Sequence, residues 1–271
     1  TTPNDAISFA KAVTLTNSVT LTSTTTAAAV GGPTTGATVT FGETLDSDST
    51  ARALTLAAGT GNIDFDGAVG DTADLGAVTI GSVDVLTADQ VFTAASFTQS
   101  SAKASTGLTR FEGALTLSGN FDFTGTRLEL NAAGNSVGGT MDVTTAGGFQ
   151  TDDDADLTVT GQFTQDGAGH SAIGADITST TAGISFANNL TLTGTDAITV
   201  QTGEGADDDF SVGGALTAST IPSLTIDAGA LGDITVTSAA NLGMGDLTIT
   251  DGAVVQFGSS LNVGVFTQSD G

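Results

Sequence analysis

The feature of this sequence that most limits its fold is a set of short runs in which threonine alternates with an aliphatic residue. These runs read VTLT, LTLA, VTIG, LTLS, LTVT, LTLT, ITVT and LTIT. Alternation with period two predicts half-buried β-strands, because successive side chains of a strand point to opposite faces. Glycine, asparagine, aspartate and serine interrupt the runs at short intervals, as residues of turns do. Helical periodicity is almost absent, so the sequence predicts an all-β protein of many short strands.

An internal repeat indicates how these strands are arranged. The repeated motif consists of Ile or Val, any residue, Phe, any three residues, and then Val or Leu. It occurs at Ile7-Phe9-Val13, Val39-Phe41-Leu45, Ile63-Phe65-Val69, Ile184-Phe186-Leu190 and Val255-Phe257-Leu261, with a variant at Thr109-Phe111-Leu115. The last four gaps between successive Phe residues of the motif are close to one, two, three and three times 24. The repeat predicts one all-β domain over residues 1–271, a parallel β-helix (β-solenoid) of about ten coils of roughly 24 residues.

The stretch GTGNIDFDGAVG, residues 59–70, has the glycines of a phosphate-binding loop but not its context. A phosphate loop opens a helix, and no helical pattern follows here. We expect Ile63 and Phe65 to point into the coil and Asp64 and Asp66 to point outward. Gly67 is then expected at a corner between strands.

The charge of the chain excludes several partners. Thirty Asp and Glu face five Lys and Arg, for a net charge of -25. Such a surface repels nucleic acid and anionic membranes. The absence of Cys removes disulfides and thiolate chemistry, and no apolar run is long enough to span a bilayer. The opening TTPNDA has neither Met nor an apolar signal segment, and we expect the mature form of an exported chain.

Two phrases of the sequence resemble those of a known class of repeat protein. One is the segment from Ala53 to Ser101, which contains LTLAAGTGNIDFDGAVG; the other is Phe-Thr-Gln, at Phe97, Phe163 and Phe266. Together they resemble the repeats of filamentous-haemagglutinin-like exoproteins and related bacterial adhesins. The resemblance implies a right-handed parallel β-helix at the cell exterior with adhesive or scaffolding roles. It also implies host or cell-surface glycans as partners.

Catalytic residues are scarce. His170 is the only histidine, and its neighbour Ser171 is expected on the opposite side of an extended chain, so the two do not form a nucleophile and base. Many parallel β-helices cleave polysaccharides with carboxylate pairs. The chain contains no Trp or Tyr to stack on sugar rings. We expect no enzyme, and a carbohydrate-active enzyme is the third alternative.

Two acidic turns are candidate Ca²⁺ sites, because clustered oxygen ligands in a turn suit this ion. The candidate ligands are Asp152, Asp153, Asp154 and Asp156 in one turn, and Glu204, Asp207, Asp208 and Asp209 in the other. The alternative is that these turns are only solvated. Thr-x-Thr pairs also recur, and flat threonine arrays can bind ice. Their irregular spacing in the sequence favours the alternative that threonine is here a strand former.

The two ends of the chain carry no pattern of a capping helix. An uncovered solenoid edge recruits another strand, and head-to-tail contact of last coil on first produces a fibre. The residues predicted to form this interface are Ile7, Phe9, Val13 and Leu15 at one end, and Phe257, Leu261, Val263 and Phe266 at the other. We therefore expect a structural subunit of an extracellular filament. The alternative is a rod fragment of a large surface adhesin or surface-layer protein.

Overall fold

A computed structural model describes residues 5–24, 34–100, 107–219 and 223–269 of the chain. Within these ranges the backbone forms 31 β-strands and no helix. The strands pair in parallel and stack into a β-solenoid of about ten turns. The predicted all-β, parallel architecture is confirmed, and its right-handedness stays a prediction.

The strands are short, and most contain three or four residues. In chain order they are β1 (Ile7–Phe9), β2 (Val13–Leu15), β3 (Val19–Thr22), β4 (Val39–Phe41), β5 (Leu45–Ser47), β6 (Leu54–Ala57), β7 (Ile63–Phe65), β8 (Leu75–Ser82), β9 (Val85–Ala88), β10 (Phe92–Gln99), β11 (Leu108–Phe111), β12 (Leu115–Leu117), β13 (Phe121–Leu130), β14 (Asn135–Val137), β15 (Met141–Thr151), β16 (Leu157–Val159), β17 (Phe163–Asp166), β18 (Ser171–Ile173), β19 (Ile177–Ser179), β20 (Ile184–Phe186), β21 (Leu190–Leu192), β22 (Ile198–Gln201), β23 (Phe210–Val212), β24 (Leu216–Ala218), β25 (Ser223–Asp227), β26 (Asp233–Val236), β27 (Ala240–Asn241), β28 (Asp246–Asp251), β29 (Val254–Phe257), β30 (Leu261–Asn262) and β31 (Phe266–Gln268).

The pairings arrange these strands in three columns, which the chain visits in the order 1, 2, 3. Column 1 contains β1, β4, β7, β9, β11, the ends of β13 and β15, then β18, β21, β24, β27 and β30. Column 2 contains β2, β5, a bridge at Val69, the start of β10, then β12, β14, β16, β19, β22, β25, β28 and β31. Column 3 contains β3, β6, β8, the end of β10, the starts of β13 and β15, then β17, β20, β23, β26 and β29.

The inward side chains of all three columns form one hydrophobic core, which extends from Leu15 to Ile249. Phe rings stack along the axis, with centroids 5.0 Å apart for Phe9 and Phe41 and 5.3 Å apart for Phe41 and Phe65. Each buried side chain of this size contributes roughly 1.5–3 kcal/mol. Stacked identical residues therefore hold successive turns together. Among the described residues, no helix has the length and hydropathy that a membrane span requires.

The glycine-rich stretch at residues 59–70 is a corner, as predicted. Ile63 and Phe65 are buried, whereas Asp64 is half-buried and Asp66 is exposed. No helix follows the stretch. A Cβ atom on Gly67 would overlap the carbonyl group of Glu43 in the adjacent turn, so glycine permits the corners to stack at strand spacing.

The turns differ in length, so the copies of the motif lie at different corners of the solenoid. Thr109 pairs with Leu128, 19 residues later, whereas Val19 pairs with Leu54, 35 residues later. The value of roughly 24 residues describes only the typical turn. As a result, the copies that begin at Ile7, Val39 and Ile63 join column 1 to column 2, whereas those at 184–190 and 255–261 join column 3 to column 1. The motif marks a corner, and not one fixed column.

Candidate assembly site at the two ends

The N-terminal end presents one edge strand in each column. Among the described residues, β1 pairs only with β4, β2 only with β5 and β3 only with β6. The predicted residues Ile7, Phe9 and Val13 are half-buried, and Leu15 is buried. Their side chains pack on the core of the next turn, and the other edge of each strand has no described neighbour.

The C-terminal end repeats this arrangement. Within the described part of the chain, β29, β30 and β31 pair only with β26, β27 and β28. Phe257 and Val263 are half-buried, whereas Leu261 is 37% and Phe266 is 42% exposed. The eight predicted assembly residues therefore lie on the two end faces of the solenoid.

The C-terminal end is the more apolar of the two. The large hydrophobic side chains that are exposed in the described ranges all lie between residues 231 and 266: Leu231, Met244, Val254, Leu261, Val265 and Phe266. Met244 is the most exposed of them, at 94%. Scattered single exposed residues are ordinary, whereas a concentration at one end is a candidate interaction surface.

The acidic residues avoid both ends. Of the 30 acids, 28 lie between Glu43 and Asp251. Residues 252–269 contain no charged residue, and residues 6–42 contain only Lys11. The net charge of -25 is therefore carried by the sides of the rod. In an end-to-end contact, the last described turn brings no carboxylate side chain, and the first brings only that of Asp5, which precedes β1.

The Phe-Thr-Gln phrase shows how an end turn differs from an interior turn. In the copies at 97–99 and 163–165, Phe and Gln are both buried. The Gln99 Oε1 accepts a hydrogen bond from Thr109 Oγ1 at 2.9 Å, and the Gln165 Nε2 donates to Thr145 Oγ1 at 3.2 Å. In the third copy, on β31, Phe266 and Gln268 are exposed. The last turn thus carries core residues in an uncovered position.

The two acidic turns lie on the sides of the rod, one between β15 and β16 and the other between β22 and β23. Their carboxylates accept hydrogen bonds from one side-chain hydroxyl and from three backbone N–H groups. Asp153 Oδ2 accepts from Thr195 Oγ1 (3.0 Å), Asp156 Oδ1 from Asp176 N (3.1 Å), Asp208 Oδ2 from Gly205 N (2.8 Å) and Asp209 Oδ1 from Asp233 N (2.8 Å). The exposed residues Asp152, Asp154, Glu204 and Asp207 complete the two predicted sets. Nowhere in the described ranges do three or more His, Asp or Glu side chains form a group that could hold a metal ion. Calcium binding stays a prediction, which calorimetry at millimolar Ca²⁺ would test.

The histidine and its neighbour lie on opposite sides of the chain, as expected from an extended backbone. His170 is exposed, and Ser171 is buried in the core. The Ser171 Oγ and Gln165 Oε1 are buried without a hydrogen-bond partner in the described structure. The hydroxyl of Ser171 therefore points away from His170.

A charged cluster on column 1 was not predicted from the sequence. Glu129 is 4% exposed and pairs with Arg110, which lies opposite it in register, and with Arg127 at 2.7 Å. The hydrogen bond to Glu129 raises the pKa of Arg110 above its usual value. Arg110 precedes Glu129 by 19 residues, the length of one short turn, so sequence spacing alone does not reveal this contact.

Threonines that are irregular in the sequence are regular in space. On column 2, Thr116 lies opposite Ser136, which lies opposite Thr158, which lies opposite Thr178. That row ends there, because Thr178 lies opposite Gln201, and a second row, two positions along the strands, contains Thr199, Thr225, Thr248 and Thr267. Irregular sequence spacing is therefore no argument against an ordered hydroxyl ladder, because the unequal turn lengths produce it.

Comparison with protein-family models, with curated proteins and with solved structures found no match for this chain. The resemblance to haemagglutinin-like repeats is accordingly established only at the level of a β-solenoid repeat protein.

Proposed function

We propose that this chain is a structural subunit of an extracellular filament, assembled head to tail by stacking of the terminal β-coils. The observation that carries the proposal is that each end presents one edge strand in each of the three columns. A second copy offers the same three columns at its opposite end. Such a contact is heterologous and does not close on itself, so it continues into a filament.

The free energy of this contact has two main sources. Backbone hydrogen bonds contribute about 0.5–1.5 kcal/mol each, and three strands form several at once. Burial of Phe266, Leu261 and Phe257 on one side and Phe9 on the other adds roughly 1.5–3 kcal/mol for each side chain that becomes fully covered. These terms together exceed the lower estimates of about 4 kcal/mol for lost translational and rotational freedom.

Salt is expected to favour assembly. The sides of neighbouring copies repel, since the acids lie there, and screening limits this repulsion to about 8 Å at physiological ionic strength. The strands of the two end turns carry no charged side chain, and only Asp5 and Lys11 lie beside those of the first turn. We therefore expect longer or faster growth with salt or divalent cations than in ion-free buffer, and the opposite order would contradict the proposal.

The test is electron microscopy of the purified chain in physiological salt, with and without Ca²⁺. Uniform filaments with an axial repeat of about 55 Å, near the length of one subunit at strand spacing, are expected. Isolated short rods in both conditions would contradict the proposal. Phe257→Lys places a charge on the end face and should abolish filaments. Gln256→Lys, at the adjacent outward position of β29, is the matched control and should leave them intact.

A second candidate is a rod segment of a large surface adhesin or surface-layer protein. It is favoured by the resemblance of the repeats, and an uncovered end serves equally well to continue into further turns of the same polypeptide. In that case the purified chain stays monomeric or aggregates without order. The extracellular location and glycan partners rest on the same resemblance, and binding to immobilised glycans would test the latter.

A further inference from the structure

We propose that, in the head-to-tail contact, the columns of neighbouring copies are offset by one: β1 of one copy stacks on β29 of its neighbour, β2 on β30 and β3 on β31. This proposal rests on the filament proposed above and specifies its interface. The partner is a second copy of this chain. Its column 1 then continues the column 3 of the copy beneath it.

The path of the chain through the columns carries the first step. The last described strand, β31, lies in column 2, above β28. The next position along the path is in column 3, above β29. If β1 of the neighbour takes this position, the three columns continue with no strand missing. If column 1 is instead placed on column 1, the position between β29 and β3 of the neighbour holds no strand.

The sequence of the two ends carries the second step. Ile7-Phe9-Val13 and Val255-Phe257-Leu261 are copies of one motif with identical spacing. The offset contact places these three residues on one another, so Phe9 lies on Phe257 and Val13 on Leu261. Phe9 already stacks on Phe41 of its own copy with ring centroids 5.0 Å apart. The Phe stack of one copy then continues into the next.

The remaining inward residues follow the same order. Leu15 meets Val263 and Val19 meets Phe266, whose ring is 42% exposed at the end face. Without the offset, the registers of the columns place Phe9 on Val263 and Val13 on Gln268. That arrangement pairs an aliphatic residue with the polar Gln268 and interrupts the Phe stack. Side-chain matching therefore favours the offset contact.

Cysteine cross-linking tests the offset directly, because the natural chain contains no Cys. Ser8, Gln256 and Asn262 are exposed at outward positions of β1, β29 and β30. In the offset contact, Ser8 lies opposite Gln256; without the offset, it lies opposite Asn262. Paired residues on stacked strands are about 4.8 Å apart, within the range that a disulfide bridges. The two double variants S8C/Q256C and S8C/N262C thus distinguish the contacts.

Filaments of each variant are grown under reducing conditions, oxidised mildly and resolved on a denaturing, non-reducing gel. The offset predicts a ladder of covalent multimers for S8C/Q256C and the loss of that ladder for S8C/N262C. A ladder from S8C/N262C, or equal ladders from both, overturns the offset and leaves the filament proposal intact. The single variants control for non-specific linkage.

Helical reconstruction of the unmodified filament provides the second measurement. It should show column 1 of each copy in line with column 3 of the copy beneath it, so that the same face returns at every third copy. A reconstruction in which column 1 of each copy lies above column 1 of the copy beneath it would overturn the offset. If the unmodified chain stays monomeric, the end faces serve further turns of one polypeptide, and both proposals fail.

Discussion

The same three residues, Phe-Thr-Gln, occur in the middle of the rod at 163–165 and in its last turn at 266–268. In the middle, β17 lies between β15 and β20, and both Phe163 and Gln165 are buried. In the last turn, β31 has β28 on one side only, and Phe266 and Gln268 are exposed. A residue of a solenoid is thus buried by its neighbours along the axis. Identical residues belong to the closed core in an interior turn and lie exposed to solvent at an end.

The largest expected effect compares Phe163→Ala with Phe266→Ala in dilute, unassembled chain. Phe163→Ala should lower the free energy of unfolding by about 3–5 kcal/mol, because a closed core is left with a cavity. Phe266→Ala should cost less, about 1–2 kcal/mol, since its ring is already partly in water and no closed cavity forms. Denaturant unfolding in low salt measures both. Equal losses would break the distinction between interior and end.

Assembly should reverse this order of sensitivity. Loss of the Phe266 ring removes roughly 2 kcal/mol of apolar burial from each contact between copies. We expect Phe266→Ala to raise the critical concentration for filament growth by at least about tenfold, at 1.4 kcal/mol for each factor of ten. Sedimentation of filaments against chain concentration measures this change. An unchanged critical concentration would show that β31 is not in the interface.

Charged contacts sharpen the comparison between an interior turn and an end turn. Arg110→Met removes one partner of Glu129, which is 4% exposed, and should cost about 1–3 kcal/mol because a buried carboxylate loses a charged hydrogen bond. Lys11→Met is the control: Lys11 is 87% exposed in its pair with Glu43 and should cost less than about 1 kcal/mol. Thermal unfolding at low salt measures the loss of stability in both variants. Equal losses would show that the pair of Arg110 with buried Glu129 stabilises the fold no more than the exposed pair of Lys11 with Glu43.

The smallest expected effect concerns the acids on the sides of the interior turns. Burial, and then repulsion by Asp122, raises the pKa of Asp142 above its usual value of 3.8. Burial is also the main cause of the raised pKa values of Asp64 and Asp176. A raised pKa means that the folded chain binds the proton more tightly than the unfolded chain. The ionised carboxylates therefore lower stability above their folded pKa, and this penalty disappears as pH falls to 3.8 and below.

Asp142→Asn should consequently stabilise the chain at pH 7, by less than about 1 kcal/mol because the group is partly solvated. The gain should shrink as pH falls toward 4, where the natural side chain takes up its proton. Thermal unfolding of both proteins at the two pH values measures this. A gain that is constant with pH would assign the effect to something other than ionisation.

The sequence was sufficient for the fold because local rules decide it. Period-two runs predict the strands, and glycines such as Gly67 predict the corners. The column of each motif copy was not predictable, since it depends on the sum of all earlier turn lengths, and these range from 19 to 35 residues. The unequal turn lengths also made two features unpredictable: the two threonine rows of column 2 and the contact of Arg110 with Glu129. The residues of the two end faces were predictable from their positions near the ends of the sequence. Which residues of a neighbouring copy they would meet depends on the column of each end strand, and only the structure gives that.

The unequal turns also separate what is constant in this molecule from what is variable. The shaft of stacked strands keeps one spacing and one set of inward residues, while the corners accommodate differences of many residues around it. Lengthening a connection costs little, about 0.6 kcal/mol for each doubling, because the strands on either side still meet their neighbours. The perimeter of such a rod is thus an insertion-tolerant surface. New segments can accumulate there without any change in the axis that carries them.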